Sequence, residues 1–223
     1  MPFSMILESF PVGPLGCNFT IVADEATGDA IVVDPGGDLD EITARLGRLS
    51  VKTRAILHTH THIDHVGATA GLQRATDAVA RIHEADHFML QILPVQAQLV
   101  GLRIPTEACE LDAWLRDEEE LYVGSIALRV LHTPGHSPGS CCFTLRPKGA
   151  SDDAIVVLAG DTLFQGSVGR TDLWGGDFEA LASSIRQRIF TLPDPTRVIC
   201  GHGPDTNVGI EKRTNPFVGL RAR

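Results

Sequence analysis

The 223-residue sequence predicts a mixed α/β fold, because two kinds of hydrophobic pattern alternate along it. Short runs of β-branched and aliphatic residues recur between turn signals, which is typical of strands. Between them, apolar residues recur at helical spacing, as in Ile42, Leu46 and Leu49. The 22 glycines and 13 prolines indicate many tight connections. No repeat, linker or composition shift divides the chain, so residues 1–223 are predicted to form a single domain.

The predicted strands are short and bounded by turns. Residues 18–23 and 30–33 are predicted to form a hairpin around a turn at residues 24–28. Further strands are predicted over residues 54–57, 78–82, 121–123, 126–131, 140–145 and 198–200. Residues 155–159 form a continuous apolar run, which indicates a central strand of a sheet.

Helices are predicted over residues 39–49, 66–75, 84–93 and 178–190. Asp38 or Asp40 can cap the first helix, because a side-chain oxygen at that position accepts from the first free N–H groups. Pro94 is predicted to end the third helix, since proline cannot continue a helical hydrogen-bond ladder. Residues 94–120 are predicted to be a loop with some helix.

Composition excludes several classes of protein. The formal net charge of −9 repels phosphate backbones, so a nucleic acid partner is not expected. No apolar run approaches the ~18 residues of a membrane helix, so no membrane partner is expected. Residues 1–8 have neither a basic leader nor a small-residue cleavage site, so they are not read as a secretory signal. The five cysteines are odd in number and lack C-x-x-C spacing, which excludes a disulfide framework and favours a reducing, cytoplasmic setting.

Histidine and aspartate residues follow four of the predicted strands. They are His60, His62, Asp64 and His65 after the strand at 54–57, His136 after 126–131, Asp161 after 155–159 and His202 after 198–200. Strand ends are rigid mounts for functional groups. In an extended segment, residues two apart point the same way, so His60 and His62 can aim at one point. Asp64 and His65 follow at the predicted start of a helix.

These residue types indicate a metal site. Imidazole and carboxylate groups bind borderline divalent metals without any cysteine. Four ligands complete a closed zinc site, whereas seven candidates suit two metals that share a bridging carboxylate. The expected cofactors are therefore two divalent ions, with zinc first and iron or manganese as alternatives. The other histidines, His58, His83, His87 and His132, are predicted to be hydrogen-bonded structural residues, and the cysteines to be small buried apolar groups.

The string at residues 59–65, Thr-His-Thr-His-Ile-Asp-His, resembles the defining motif of the metallo-β-lactamase superfamily. Residues 133–140, 160–164 and 201–204 resemble its later motifs in the same order. Residues 164–172 and 211–216 are similar to those of glyoxalase II (hydroxyacylglutathione hydrolase) and its compact bacterial relatives. The resemblance implies the αβ/βα metallo-β-lactamase four-layer sandwich. It also implies metal 1 bound by His60, His62 and His136, metal 2 by Asp64, His65 and His202, and Asp161 bridging the two.

The resemblance and the ligand set together predict hydrolysis of a small-molecule thioester, with glutathione thioesters such as S-lactoylglutathione first. A hydroxide held between the two metals is predicted to attack the carbonyl, while Asp64 and Asp161 orient it and relay protons. Arg170, Lys212 and Arg213 are candidate anchors for a substrate carboxylate, with ordinary surface charges as the alternative. Longer glyoxalase II enzymes supply basic residues from a helical C-terminal region that has no counterpart before residue 223. The identity of the thiol in the substrate is therefore left open.

Other activities remain as alternatives. Persulfide dioxygenases of the same superfamily also resemble the chain at residues 169–172, and they use one iron held by residues that match His60, His136 and Asp161. Lactone or β-lactam hydrolysis is a weaker alternative with the same metal chemistry. A non-catalytic binding protein has little support, because every ligand position is intact. The acidic charge disfavours a nuclease, and the oligomeric state is left open.

Overall fold

A computed structural model of the chain describes residues 4–102, 107, 109–149, 156–220 and 222. The chain divides into two compact units. Unit 1 comprises residues 1–115 and 123–126, and unit 2 comprises residues 116–122 and 127–223. The assignment of residues 1–223 to one domain stays a prediction.

Unit 1 is built on a mixed six-stranded sheet. Its strands are β1 (Met5–Val12), β2 (Cys17–Asp24), β3 (Asp29–Val33), β4 (Lys52–Leu57), β5 (Val79–His83) and β6 (Ala113–Leu115), in that spatial order. The pairs β1–β2 and β2–β3 are antiparallel, and the pairs from β3 to β6 are parallel. Val33 pairs with Leu57, so the residues that follow β3 and β4 leave the sheet at the same edge.

The helices of unit 1 are α1 (Leu39–Leu49), α2 (Ile63–Val66), α3 (Thr69–Thr76), α4 (His87–Gln91) and α5 (Leu93–Leu99), with a 3-10 turn at Glu84–Asp86. Ile42 of α1 and Leu72 of α3 are fully buried against Phe19, Ile21 and Ile56 of the sheet. Burial of such side chains contributes about 1.5–3 kcal/mol each, so this apolar contact fixes α1 and α3 on the sheet.

Unit 2 is built on a second six-stranded sheet. Its elements are β7 (Glu120–Val123), β8 (Ile126–His132), β9 (Cys141–Pro147), β10 (Val156–Gly160), β11 (Leu163–Phe164), β12 (Ser167–Val168), α6 (Phe178–Ser184), β13 (Arg197–Cys200), β14 (Thr206–Asn207) and α7 (Val208–Thr214). The strand order is β14-β13-β10-β9-β8-β7, and β11 pairs with β12 in a separate hairpin. A π-helical turn at Ile185–Ile189 continues α6.

The core of unit 2 lies between this sheet and α6. Leu181, Ile185 and Ile189 share one helix face and are fully buried against Val157 and Val198. The strands β10 and β13 are parallel, so the residues that follow them also leave the sheet at one edge. Sequence periodicity therefore predicted the packed face of this helix, while its contact with these strands comes from the structure.

Most predicted elements are confirmed, including α1 with its bounds and β10 as an interior strand. Ile155, the first residue of that predicted strand, lies outside the described residues, as do residues 103–106 and 108 of the predicted loop. Among the described residues, the prediction missed β1, β6, the hairpin of β11 and β12, β14 and α7, while α5 lies largely where some helix was predicted.

Three details of the helix prediction were wrong. Pro94 does not end a helix but lies in the first turn of α5, where its missing N–H has no intrahelical partner to lose. The helix predicted at residues 66–75 begins at Ile63 and is interrupted after Val66. Asp38 occupies the N-cap position of α1 without a side-chain cap bond, because its carboxylate accepts from the Gly13 N–H instead (2.8 Å).

None of the helices within the described part of the chain combines the length and the apolar character needed to span a bilayer.

A buried aspartate ties two turns of unit 1 together. Asp24 accepts hydrogen bonds from the backbone N–H groups of Ala26 and Thr27 and from both the N–H and the hydroxyl of Ser125. The hydrogen bonds from Ser125, followed by the other backbone donors, lower the pKa of the Asp24 carboxyl to about 2. The carboxylate therefore stabilises the fold above the pKa of an unfolded aspartate.

We expect Asp24→Asn to lower the free energy of unfolding at pH 7 by about 1–3 kcal/mol, because an amide replaces one acceptor oxygen facing a donor. The folded-state pKa is depressed, so the contribution of Asp24 is lost as the pH falls from about 4 towards 2. Urea unfolding of both proteins at pH 7 and pH 3 measures this difference. A gap between them that is as large at pH 3 as at pH 7 would contradict the assigned role.

Candidate metal centre

The first four candidate ligands lie together in unit 1. The ring centroids of His60 and His62 are 4.7 Å apart with the planes nearly perpendicular, and those of His60 and His65 are 4.0 Å apart. His65 Nε2 lies 3.8 Å from Asp64 Oδ2. All three histidines are buried. The rings of His60 and His62 thus lie next to each other, and their common aim at one metal stays a prediction.

The intervening residues of this string are fixed by hydrogen bonds. Thr59 donates to Asp34 from both its backbone N–H (2.8 Å) and its hydroxyl (2.6 Å). Thr61 donates its hydroxyl to the Asp86 carbonyl (2.9 Å), and Gln96 Nε2 donates to the Thr61 carbonyl (3.2 Å). Because residues of an extended segment alternate in direction, anchoring Thr59 and Thr61 presents the side chains between and beyond them on the other side.

Hydrogen bonds also define which ring nitrogen carries the proton in two of the histidines. The Thr59 hydroxyl gives its only proton to Asp34, so at 3.1 Å it must accept from His60 Nδ1–H. His65 Nδ1–H donates to Asp34 Oδ2 at 3.0 Å. In the neutral ring the lone pair then lies on Nε2 of both His60 and His65, which is the usual arrangement of metal-binding histidines.

Asp34 was missed as a site residue by the sequence analysis, which assigned its segment to the end of a strand. It follows β3 and has a left-handed backbone (φ 56°), and its side chain is buried. The contact depends on the parallel pairing of β3 and β4, which places Asp34 and Thr59 at the same sheet edge, and no local sequence pattern indicates it. Asp86, the other aspartate that binds this string, is the last residue of the 3-10 turn that follows β5.

The histidines predicted to be structural make local contacts. His58 is buried, with Nε2 at 3.2 Å from the Thr69 hydroxyl and Nδ1 at 3.8 Å from Asp34 Oδ1. Burial lowers the pKa of His58 to about 4, so its ring is neutral at pH 7. His83 accepts from the Ala85 N–H, His87 stacks near Trp114, and His132 donates to the Pro138 carbonyl.

None of the five cysteines, all of which lie among the described residues, forms a disulfide. Cys17, Cys141, Cys142 and Cys200 are buried, and Cys109 is half-buried. Burial raises the pKa of the Cys17 and Cys200 thiols to about 12. Cys17 Sγ lies 3.4 Å from His65 Nδ1, whereas the other ring nitrogen, Nε2, faces Asp64.

The other three candidate ligands lie together in unit 2. Asp161 directs its two oxygens at two imidazoles: Oδ2 lies 3.7 Å from His136 Nε2, and Oδ1 lies 3.7 Å from His202 Nε2. His136 Nδ1–H donates to the Arg170 carbonyl at 2.8 Å, which leaves the lone pair on the nitrogen facing Asp161. A carboxylate shared between two imidazoles is the arrangement expected of a bridging ligand.

Two glycines permit close approaches around these ligands. A Cβ at Gly36 would lie 1.5 Å from the backbone oxygen of Asp64, and one at Gly201 would lie 2.1 Å from Asp161 Oδ1. Neither approach leaves room for any side chain. The turn after β3 and the turn after β13 are therefore packed directly against a ligand residue.

The three candidate substrate anchors already have carboxylate partners. Arg170 forms a bidentate ion pair with Asp172 (2.7 and 2.8 Å), and this contact lowers the pKa of Asp172 to about 2. Arg213 lies 3.0 Å and Lys212 3.9 Å from Asp194. Exposed pairs of this kind are weak, so a substrate carboxylate can compete for these cations. Their role in substrate binding stays a prediction.

The donor chemistry of both sets fits divalent metals. Each set combines imidazole nitrogens with carboxylate oxygens, and hydrogen bonds at Nδ1 place the lone pairs of His60, His65 and His136 on Nε2. Protonation of His60 and His65 instead would place two positive rings 4.0 Å apart. Whether the two sets form one site stays a prediction.

A family model described as the metallo-beta-lactamase superfamily matches residues 12–202. The chain belongs to the metallo-β-lactamase superfamily. The predicted α/β class and the predicted fold are therefore confirmed. Curated and solved members of the superfamily extend this result over nearly the whole chain.

Hydroxyacylglutathione hydrolase GloC of Haemophilus influenzae is 37% identical over 220 residues, which cover 98% of this chain and 100% of that protein. The crystal structure of BLEG-1 B3 metallo-β-lactamase matches with a TM-score of 0.84 and 35% identity, over 96% of this chain and 99% of that one. The crystal structure of TTHA1623 in a di-iron-bound form matches with a TM-score of 0.81 and 37% identity, over 93% and 98%. These matches identify a metal-dependent hydrolase of the metallo-β-lactamase superfamily.

Proposed function

We propose that this chain is a dinuclear metal hydrolase that cleaves a small-molecule thioester, with glutathione thioesters such as S-lactoylglutathione as the first substrate class. The proposal has two supports. One is the pair of oxygens that Asp161 directs at two different histidines. The other is the similarity to GloC along its whole length.

The metals would be held by the seven residues that the sequence motifs single out. His60, His62 and His136 would bind the first metal, and Asp64, His65 and His202 would bind the second. Asp161 would be shared by both metals. When bound, two divalent ions supply Lewis acidity and lower the pKa of water towards neutrality. Zinc is the first candidate, with iron and manganese as alternatives.

The protein's own groups supply orientation and proton transfer. Asp64 and Asp161 are partly exposed carboxylates among buried imidazoles, so they can accept a hydrogen bond from the attacking water and take up its proton. Asp34 holds His65, and the Arg170 carbonyl holds His136, so neither ring must reorient during the reaction. A thiolate is a good leaving group, so cleavage needs no strong general acid.

Recognition of a carboxylate on the substrate would determine which thiol the enzyme accepts. Arg170 is the first candidate anchor, because its backbone oxygen accepts a hydrogen bond from His136, so its side chain begins next to a candidate ligand. A substrate carboxylate would share this guanidinium with Asp172. Lys212 and Arg213 are the second candidates. The protein is further proposed to act in the cytoplasm without nucleic acid or membrane partners.

The test is metal analysis of the purified protein combined with assays of three substrate classes. We expect two metals per chain and hydrolysis of S-lactoylglutathione, which is measured through the release of free thiol. Truncated thiol analogues that lack one carboxylate measure how much the glutathione part contributes. A lactone and a β-lactam serve as competing substrates for the same metal chemistry.

The outcomes separate the alternatives. One iron per chain, with oxygen uptake on glutathione persulfide and no thioester hydrolysis, would assign the protein to the dioxygenases. Faster turnover of a β-lactam than of any thioester would replace the proposed substrate class. A protein that binds no divalent metal would remove the basis of every hydrolytic scheme.

A further inference from the structure

A buried carboxylate lies on α7 of unit 2. Glu211 is 1% exposed and accepts hydrogen bonds from the Gly166 N–H (3.0 Å), the Thr206 hydroxyl (2.6 Å) and Asn215 Nδ2 (2.8 Å). No cation among the described residues lies within ion-pair distance of it. A buried charge is costly unless it is fully hydrogen-bonded, so three donors from three segments must compensate for its desolvation.

Asn215 extends this contact by one helical turn. It is fully buried, and its Nδ2 also donates to the Ser167 carbonyl at 3.0 Å. Its Oδ1 accepts from the N–H groups of Phe217 (3.0 Å) and Val218 (3.3 Å). Every polar atom of the Asn215 side chain therefore has a partner. Glu211 on α7 and Asn215 at the end of this helix are thus both held by hydrogen bonds.

Both residues hold the hairpin of β11 and β12. Glu211 binds the N–H of Gly166 in the turn, and Asn215 binds the carbonyl of the next residue. Asp161 lies two residues before the first strand of this hairpin, and Arg170 lies two residues after the second. A Cβ at Gly169 would lie 1.9 Å from the Asp161 carbonyl oxygen, so the two ends of the hairpin are in contact.

The hairpin thus connects α7 with two candidate ligands. Its first end carries the carboxylate of Asp161, and its second end carries the Arg170 carbonyl that accepts from His136 Nδ1. A shift of the hairpin moves both groups, since neither end is separated from it by a flexible segment. The nitrogen of His136 that faces Asp161 would move with them.

We propose that Glu211 and Asn215 are positioning residues, which hold the hairpin so that His136 and Asp161 keep their metal-binding geometry. The inference rests on the proposed function only for the identity of the metal ligands. It explains why α7 carries a buried acid and a buried amide one turn apart. It assigns no direct contact with substrate or metal to either residue.

The test uses the metal-stripped full-length chain and Co²⁺ as the probe. We expect Glu211→Gln to raise the Kd for Co²⁺ by less than the about 10- to 100-fold that follows loss of a direct partner of a metal ligand, and to change the visible spectrum of the bound Co²⁺. The Gly166 N–H and Asn215 Nδ2 both donate to Oε2 of Glu211, so an amide nitrogen at that position leaves both donors without an acceptor. Titration followed by absorbance gives both the affinity and the spectrum.

The matched control is Asn207→Ala on the same helix. Asn207 caps α7 by accepting from the Ile210 N–H at 2.8 Å and makes no contact with the hairpin. Its loss costs about 1 kcal/mol of helix stability. We expect it to lower the unfolding midpoint while leaving the Kd for Co²⁺ within twofold of the wild-type value. A purely structural role for Glu211 would make the two variants behave alike.

Co²⁺ affinity and spectrum of Glu211→Gln equal to those of the wild type would overturn the proposal. If that variant fails to fold, Thr206→Val replaces it, because it removes one donor to Glu211 while preserving side-chain volume. We then expect a smaller rise of the Kd in the same direction, and no rise would be equally contradictory. The readout needs no thioester, so a wild-type protein that hydrolyses none would refute the proposed substrate without affecting this result.

Discussion

Replacing Asp161 with alanine is expected to abolish metal loading and hydrolytic turnover together. Asp161 offers one oxygen to the neighbourhood of His136 and the other to that of His202, each at 3.7 Å. Alanine removes both oxygens at once. Loss of an outer-shell partner already costs about 10- to 100-fold in affinity or activity, so the loss of a shared ligand should exceed about 100-fold.

Metal content per chain after purification and the rate of thioester hydrolysis measure this effect. Asp205→Ala is the matched control, because it removes a carboxylate of the same unit that pairs only with the exposed Arg197. The control should retain its metal and its activity, since exposed ion pairs contribute little. An Asp161→Ala protein that carries the wild-type metal content, or turns over normally, would refute the assignment of Asp161 as the shared ligand.

The sequence singles out the candidate ligands because each belongs to a local pattern. His60, His62, Asp64 and His65 form one short string, and His136, Asp161 and His202 each follow an apolar run. Strand ends are recognisable from a few neighbouring residues, since an apolar run stops where polar residues begin. The amphipathic faces of α1 and α6 were also local patterns. The bounds of α1 and the packed face of α6 are confirmed.

The residues that hold the ligands could not be predicted in this way. Asp34 meets Thr59 only because β3 and β4 are parallel neighbours, and Glu211 meets Gly166 only because α7 packs against the β11–β12 hairpin. These contacts join residues 25 and 45 positions apart in the chain. A single sequence contains no pattern that pairs such positions. The same limit explains Pro94, whose place at the start of α5 depends on how the preceding helix ends.

Asp34→Ala is the second substitution for which we expect a large effect. Asp34 is buried and accepts from the N–H and hydroxyl of Thr59 and from His65 Nδ1. Its loss leaves these buried donors without an acceptor, at a cost of about 1–3 kcal/mol for each unsatisfied group. We therefore expect a fall of at least about 2 kcal/mol in the free energy of unfolding of the metal-free protein.

The same substitution should also weaken metal binding, because the Asp34 carboxylate fixes the protonated nitrogen of His65 and, through the Thr59 hydroxyl, that of His60. Without it both rings can rotate or change tautomer, so we expect the Kd for Co²⁺ to rise by about 10- to 100-fold. Asp29→Ala provides the control, since Asp29 begins the strand that Asp34 follows and pairs with the exposed Arg54. If Asp34→Ala destabilised the fold but bound Co²⁺ as tightly as this control, the carboxylate would support the sheet edge without orienting the histidines.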